Sequence, residues 1–271
     1  MKKNNSTNKL GKFLTVILLS IGLVSFTSCD PEPAPGGGDN GDITDQWGYL
    51  INETSHDVQL NGNTLIYGDH TYTVNGEIEL NGTVFNTPTA YVTFTNVPSG
   101  YTEFEAVYNN LLGKSIQGTA AMIPMAFEIY ARDNVTGERC LNLLCNGSAT
   151  VSEIVRILKT KFIPSEFAPE NDQYIQRYLP AALLKGALNS NAYKPDEPYT
   201  VEMCRSANAP QESQFAGGMV YYTYILAHGW DTFQRSVEIL QPYGNTLYKV
   251  FNCPATYTQC KVIQGTWGGL K

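Results

Sequence analysis

Near residue 199 the hydrophobic period of this chain changes from that of a helix to that of a strand, which restricts it to few architectures. Before the change, Thr102 and Glu105 form a capping box, and Phe104, Val107, Tyr108, Leu111 and Leu112 then recur on one face until Gly113. A second helix is predicted over 116–131, kinked at Pro124, with Gly118, Ala120, Ala121 and Ala126 permitting close packing. A second capping box, Thr150 with Glu153, precedes Val151, Ile154, Val155, Leu158 and Phe162, and Lys159 and Lys161 suit the negative end of that helix. A further helical stretch is predicted over 172–188, interrupted at Pro180.

After the change, strands are predicted over 199–205, 218–228, 232–241, 246–252 and 258–264, joined by turns at 228–231, 242–245 and 253–257. Helices followed by consecutive strands imply an α+β fold. The expected form is about four helices packed on a curved antiparallel C-terminal sheet. The stretch 47–96 carries Asn61-Gly62, Asn75-Gly76 and Asn81-Gly82, dipeptides suited to tight hairpins, and Glu77 to Leu80 alternates as a half-buried strand would. It is expected to form a hairpin-rich segment ahead of a domain spanning 97–271.

The first 46 residues follow other rules. Lys2, Lys3, Lys9 and Lys12 precede an apolar run from Phe13 to Phe26, the layout of a secretory signal. At 14 residues that run falls short of the roughly 18 to 20 a spanning helix needs. Thr27-Ser28-Cys29 looks like the lipobox of bacterial lipoproteins, so 1–28 is expected to be cleaved and Cys29 lipidated. Two or three acyl chains, at about 0.8 kcal/mol per buried methylene, would anchor the chain to an outer membrane or cell surface. Residues 30–46, rich in Pro, Gly and Asp, read as a tether without a packed core.

Removing the leader's four lysines from 18 basic residues leaves 14 against 25 acidic ones, a net charge near -11. No basic stripe is present, which argues against nucleic acid as a partner.

Several motifs fail on context. Gly36, Gly38 and Gly41 have dinucleotide-fingerprint spacing inside the tether, with neither strand before nor helix after. Gly113-Lys114-Ser115 resembles the end of a phosphate loop, but Tyr108 stands where its first glycine belongs. No hydrolase elbow or zinc helix occurs, and no cofactor or metal is expected. His228 is the only histidine in the 97–271 region, and with Asp231 it sits in a turn that explains both residues. Glu202 and Glu238 lie on predicted strands, where solvated positions are the simpler account than a glycosidase pair. Cysteines 253 and 260 flank a predicted turn, at a separation that two facing strands could bridge with a disulfide.

The segments Glu105-Ala106-Val107-Tyr108, Gly118-Thr119-Ala120-Ala121-Met122, Gly137-Glu138-Arg139-Cys140-Leu141, Pro198-Tyr199-Thr200-Val201-Glu202 and Asp231 to Arg235 resemble an uncharacterised domain family of exported anaerobe proteins, over roughly 85–265. Trp230 and Ser236 depart from that pattern. The resemblance implies one domain and brings no activity or site residue with it.

The functional expectation is a non-catalytic, membrane-anchored module that binds a glycan, a peptide or an envelope protein. The alternatives are a hydrolase of extracellular polymer and a structural component. In a meander, the turn holding Trp230 and the turn ending at Tyr257 share one end of the sheet, with Tyr243 at the other. Trp230, Tyr257, His228 and Asp231 are therefore the candidate ligand contacts, against the simpler reading that Trp230 caps the core.

Overall fold

The computed structural model describes residues 51–162, 176–261, 263 and 269–271. The leader, Cys29 and the tether lie outside the described residues, as do the start of the expected 172–188 helix and most of the end of the expected 258–264 strand.

The N-terminal hairpins comprise β1 (Val58–Asn61), β2 (Thr64–Tyr67), β3 (His70–Gly76) and β4 (Ala90–Phe94), paired antiparallel in that order. Gly62-Asn63, one residue beyond the expected Asn61-Gly62 pair, turns β1 into β2, with Gly62 at φ +62°, the left-handed region that glycine tolerates. The next turn is Gly68-Asp69, while Asn75-Gly76 only closes β3. Residues 77–80 form no strand; Ile78 is buried in the core with Leu80 packed half-buried against it, and Glu79 and Gly82 close a turn.

Four α-helices follow among the described residues: α1 (Tyr101–Asn110), α2 (Ile116–Arg132), α3 (Asn134–Leu144) and α4 (Ser148–Phe162). Their number matches the expectation, but their membership differs. The helix α3 was not anticipated, although Asp133 caps it by accepting from the Thr136 amide at 2.6 Å. The described part of 172–188 contributes only a short 3₁₀ turn, Ala181–Leu183, immediately after Pro180. The two capping boxes are also not realised as read. Thr150 lies inside α4 and donates to the Phe251 carbonyl. The first amides of α1 bond a carboxylate from 48 residues upstream: Glu53 accepts from Tyr101 and Thr102 at 3.0 and 2.8 Å. Ser115 does cap α2, which runs through Pro124.

The remaining strands are β5 (Tyr199–Arg205), β6 (Gln211–Ser213), β7 (Gly218–Leu226), β8 (Gln234–Pro242) and β9 (Lys249–Asn252). All strand pairings are antiparallel, in the order β1-β2-β3-β4-β5-β7-β8-β9, with β6 also on β7, giving nine strands among the described residues. The fold is α+β, as expected, with an unclosed sheet. Because β4 pairs with β5, the hairpin segment and the C-terminal strands are one sheet, and the helices are an excursion between two adjacent strands. No strand forms in the described part of 258–264: Pro254 starts a 3₁₀ turn over Pro254–Thr256, and Gln259 sits at φ +62°.

Strand alternation gives the sheet two different faces. Ala90, Val92, Phe94, Tyr199, Val201, Met203, Val237 and Ile239 belong to one core with the buried residues of the helices. The opposite face, carrying Thr93, Thr200, Tyr91 and Glu202, lies away from the helices. Close approach of α2 and α3 depends on Gly137, where an added Cβ would stand 2.1 Å from the Tyr130 Cα. That contact gives a physical reason for the glycine at the head of Gly137-Glu138-Arg139-Cys140-Leu141.

Candidate functional site

On the helix-free face, Glu202 in β5 stands directly across from Tyr91 in β4. Its carboxylate is almost wholly buried yet lies between two nitrogen partners: Lys185 Nζ is 3.2 Å from Oε1, and His228 Nε2 is 3.7 Å from Oε2. The hydrogen bond to Glu202, with its negative charge, raises the Lys185 pKa. The His228 ring, half exposed, stacks parallel on Phe233 with centroids 5.6 Å apart and a 6° interplanar angle. The result is a shallow surface in which a fixed carboxylate, an ammonium and an imidazole lie beside the rings of Tyr91 and Phe233. Tyr222 and Tyr224, half buried and paired with Glu238 and Ser236, extend the same face across β7 and β8.

Four chain segments supply this cluster: the β4 strand, the Lys185 loop, β5 and the β7–β8 turn. The Lys185 loop is held along β5 by its amide, which donates to the Thr200 carbonyl at 2.8 Å. Of the four candidate contacts read from sequence, only His228 belongs to the cluster. Asp231 is exposed and pairs with Lys261 at 2.6 Å.

Trp230 and Tyr257 are not surface platforms. They are 4% and 3% exposed. The Trp230 indole donates to the Ala182 carbonyl at 2.8 Å, and Tyr257 meets Phe127 edge to face at 6.1 Å. The two turns do share one end of the sheet, with Tyr243 on the turn after β8 at the other, and Arg235 joins them. Its buried guanidinium donates to the carbonyls of Thr232, Ala255 and Thr258 at 3.0, 2.6 and 2.8 Å. The rim expected to face a ligand is therefore turned inward around an arginine.

The cysteine expectation is likewise corrected. Cys253 and Cys260 are free buried thiols, not a disulfide. The Cys253 carbonyl accepts from the amide and hydroxyl of Thr256, turning the chain away from the expected hairpin, while Cys260 packs against the Tyr193 hydroxyl.

Two catalytic readings meet geometric objections. The Cys204 thiol donates to the Phe85 carbonyl, and burial pushes its pKa up to about 11, so it stays protonated at neutral pH. Glu202 and Glu238 lie on the same face, two strands and four residues apart by register. That places them about 16 Å apart, beyond the roughly 5 to 9.5 Å of glycosidase carboxylates.

A second polar cluster looks like a catalytic triad by composition only. Glu103, buried in the first turn of α1, accepts from His70 Nδ1, Tyr72 hydroxyl, Ser99 amide and Ser99 hydroxyl at 2.7, 2.7, 2.7 and 2.8 Å. The serine hydroxyl donates to the carboxylate and not to the imidazole, so no base is positioned to activate it. Four donors on one carboxylate brace the β3 hairpin against α1.

Residues 96–264 match the family described as Domain of unknown function (DUF6935). The chain belongs to this family. No curated protein and no solved structure matches it. The DUF6935 match begins after β4 in sequence, so Tyr91, one edge of the cluster, is supplied by the chain outside the matched residues.

Sequence reading missed Lys185, Tyr91, Phe233 and Glu103. Tyr91 and Phe233 carried only alternation typical of strands, and Lys185 follows a helical pattern that the fold does not use. Tyr91 reaches Glu202 only through the register of two strands 111 residues apart.

Proposed function

We propose that this chain is an exported lipoprotein, anchored through Cys29, whose DUF6935 domain binds a glycan, a peptide or an envelope protein on the helix-free face of its sheet. The observation that carries this reading is the open cluster of Tyr91, Glu202, Lys185, His228 and Phe233. Aromatic rings beside fixed charges offer large contact area at low entropic cost, together with polar groups that orient a ligand. The register separation of about 16 Å between Glu202 and Glu238 and the protonated Cys204 favour binding over hydrolysis. A charged leader ending at Thr27-Ser28-Cys29 supports the export and the anchor. No helix among the described residues is long and apolar enough to cross a membrane, which is compatible with tethering by lipid.

The test joins partner capture from native membranes with a glycan array, using the full chain and its Tyr91→Ala and Lys185→Ala variants. Both substitutions are at the surface of the cluster, so folding should persist while binding falls. Binding that survives both variants assigns the ligand elsewhere and overturns the site. For the anchor, Cys29→Ser should yield soluble protein or uncleaved precursor; unchanged processing and membrane attachment would overturn it.

A further inference from the structure

The core of this protein runs out to an edge strand that, among the described residues, has a pairing partner on one side only. Leu60, Leu65, Tyr72, Phe94 and Tyr199 are successive Cα partners across β1 to β5, forming one row on the helix-facing side of the sheet. Leu65, Tyr72, Phe94 and Tyr199 are buried to 3% exposure or less, whereas Leu60 is 50% exposed. Val58, next on the same side, is 37% exposed. Among the described residues β1 pairs with β2 alone.

Hairpin geometry fixes which backbone groups are free. The two-residue turn makes Asn61 and Thr64 a hydrogen-bonded pair, so Asn61 and Gln59 direct their amides and carbonyls at β2. Val58 and Leu60 direct theirs outward. Natural edges of this kind usually carry a lysine, a proline or a bulge that blocks further pairing. Val58-Gln59-Leu60-Asn61 has none of these and no charge.

We propose that β1 pairs with β1 of a second copy of this chain, antiparallel about a two-fold axis through Gln59, so that the two sheets continue as one. The strand is complementary to itself in that register. Val58 falls opposite the partner's Leu60, and Leu60 opposite the partner's Val58, each pair exchanging two N–H···O bonds, about four in all. The four apolar side chains then lie together on the helix-facing side and extend the buried row across the axis. Asp57 faces the partner's Asn61, so no like charges meet. An interface this small is weak, and it forms where the local concentration is high.

Disulfide trapping of the full chain tests the register. On the axis, Gln59 and the partner's Gln59 form a non-hydrogen-bonded pair about 4.5 Å apart at Cα, within the range a disulfide accepts. The two Asn61 positions would be about 14 Å apart. Gln59→Cys should therefore give a symmetric disulfide dimer under mild oxidation and Asn61→Cys should not. Adding Leu60→Lys to Gln59→Cys should abolish the dimer while circular dichroism stays native, since Leu60 is half exposed. No dimer at position 59, equal trapping at both positions, persistence with Leu60→Lys, or trapping of position 59 to a different protein each overturns the proposal.

Discussion

The Arg235 guanidinium lies 4.1 Å over the Trp230 ring, and both side chains are buried. Arg235 donates to three carbonyls in two turns, while Trp230 bonds Ala182. Trp230→Ala empties an aromatic core site and leaves the arginine face without its partner. It should lower unfolding free energy by about 3 to 5 kcal/mol, measured by chemical denaturation. A change under about 1 kcal/mol would mean that the indole is not part of the core.

The His70–Glu103 contact makes stability depend on pH. The hydrogen bond to Glu103 raises the His70 pKa against the opposing effect of burial. Burial alone would raise Glu103, but hydrogen bonds from His70, Ser99 and Tyr72 outweigh it and hold the carboxyl below its ordinary value. The histidine contribution is complete below its ordinary value of 6.5 and is lost as pH rises through the raised folded value. The carboxylate contribution is complete above 4.5 and is lost as pH falls through the lowered folded value. Stability from this pair should therefore peak between those two values. Glu103→Gln should flatten both limbs in a urea series across pH; unchanged limbs would assign the dependence to other groups.

Gly137→Ala should destabilise by at least about 1 to 3 kcal/mol, since its Cβ would meet the Tyr130 backbone, which cannot swing aside. A near-neutral thermal melt would show that α2 and α3 can separate at little cost.

All five cysteines at 140, 145, 204, 253 and 260 are free and buried, and burial raises the pKa of each thiol, to about 11 for Cys204 and about 12 for Cys253 and Cys260. Alkylation at pH 8 should therefore be slow in the folded protein and fast after unfolding, because the thiolate is the reactive species. A Cys253–Cys260 peptide pair in non-reducing maps would contradict this arrangement.

The sequence by itself determined the α+β class, because the change of hydrophobic period at residue 199 is a local property of the chain. It likewise determined β5, β7, β8 and β9, and a hairpin turn that uses Gly62, each of which depends on neighbours a few residues away. The tertiary structure decided the rest. Glu53 reaches α1 from a distant segment, and that long-range cap replaced the local box of Thr102 and Glu105. Whether an aromatic on a turn faces water or core is set by what packs beneath it, so Trp230 and Tyr257 were readable as turn residues but not as buried ones. The union of β4 with β5 brought Tyr91 to Glu202, a contact across 111 positions that no local pattern records. Pairing register decides such contacts, since a shift of one residue would send every side chain of a strand to the opposite face.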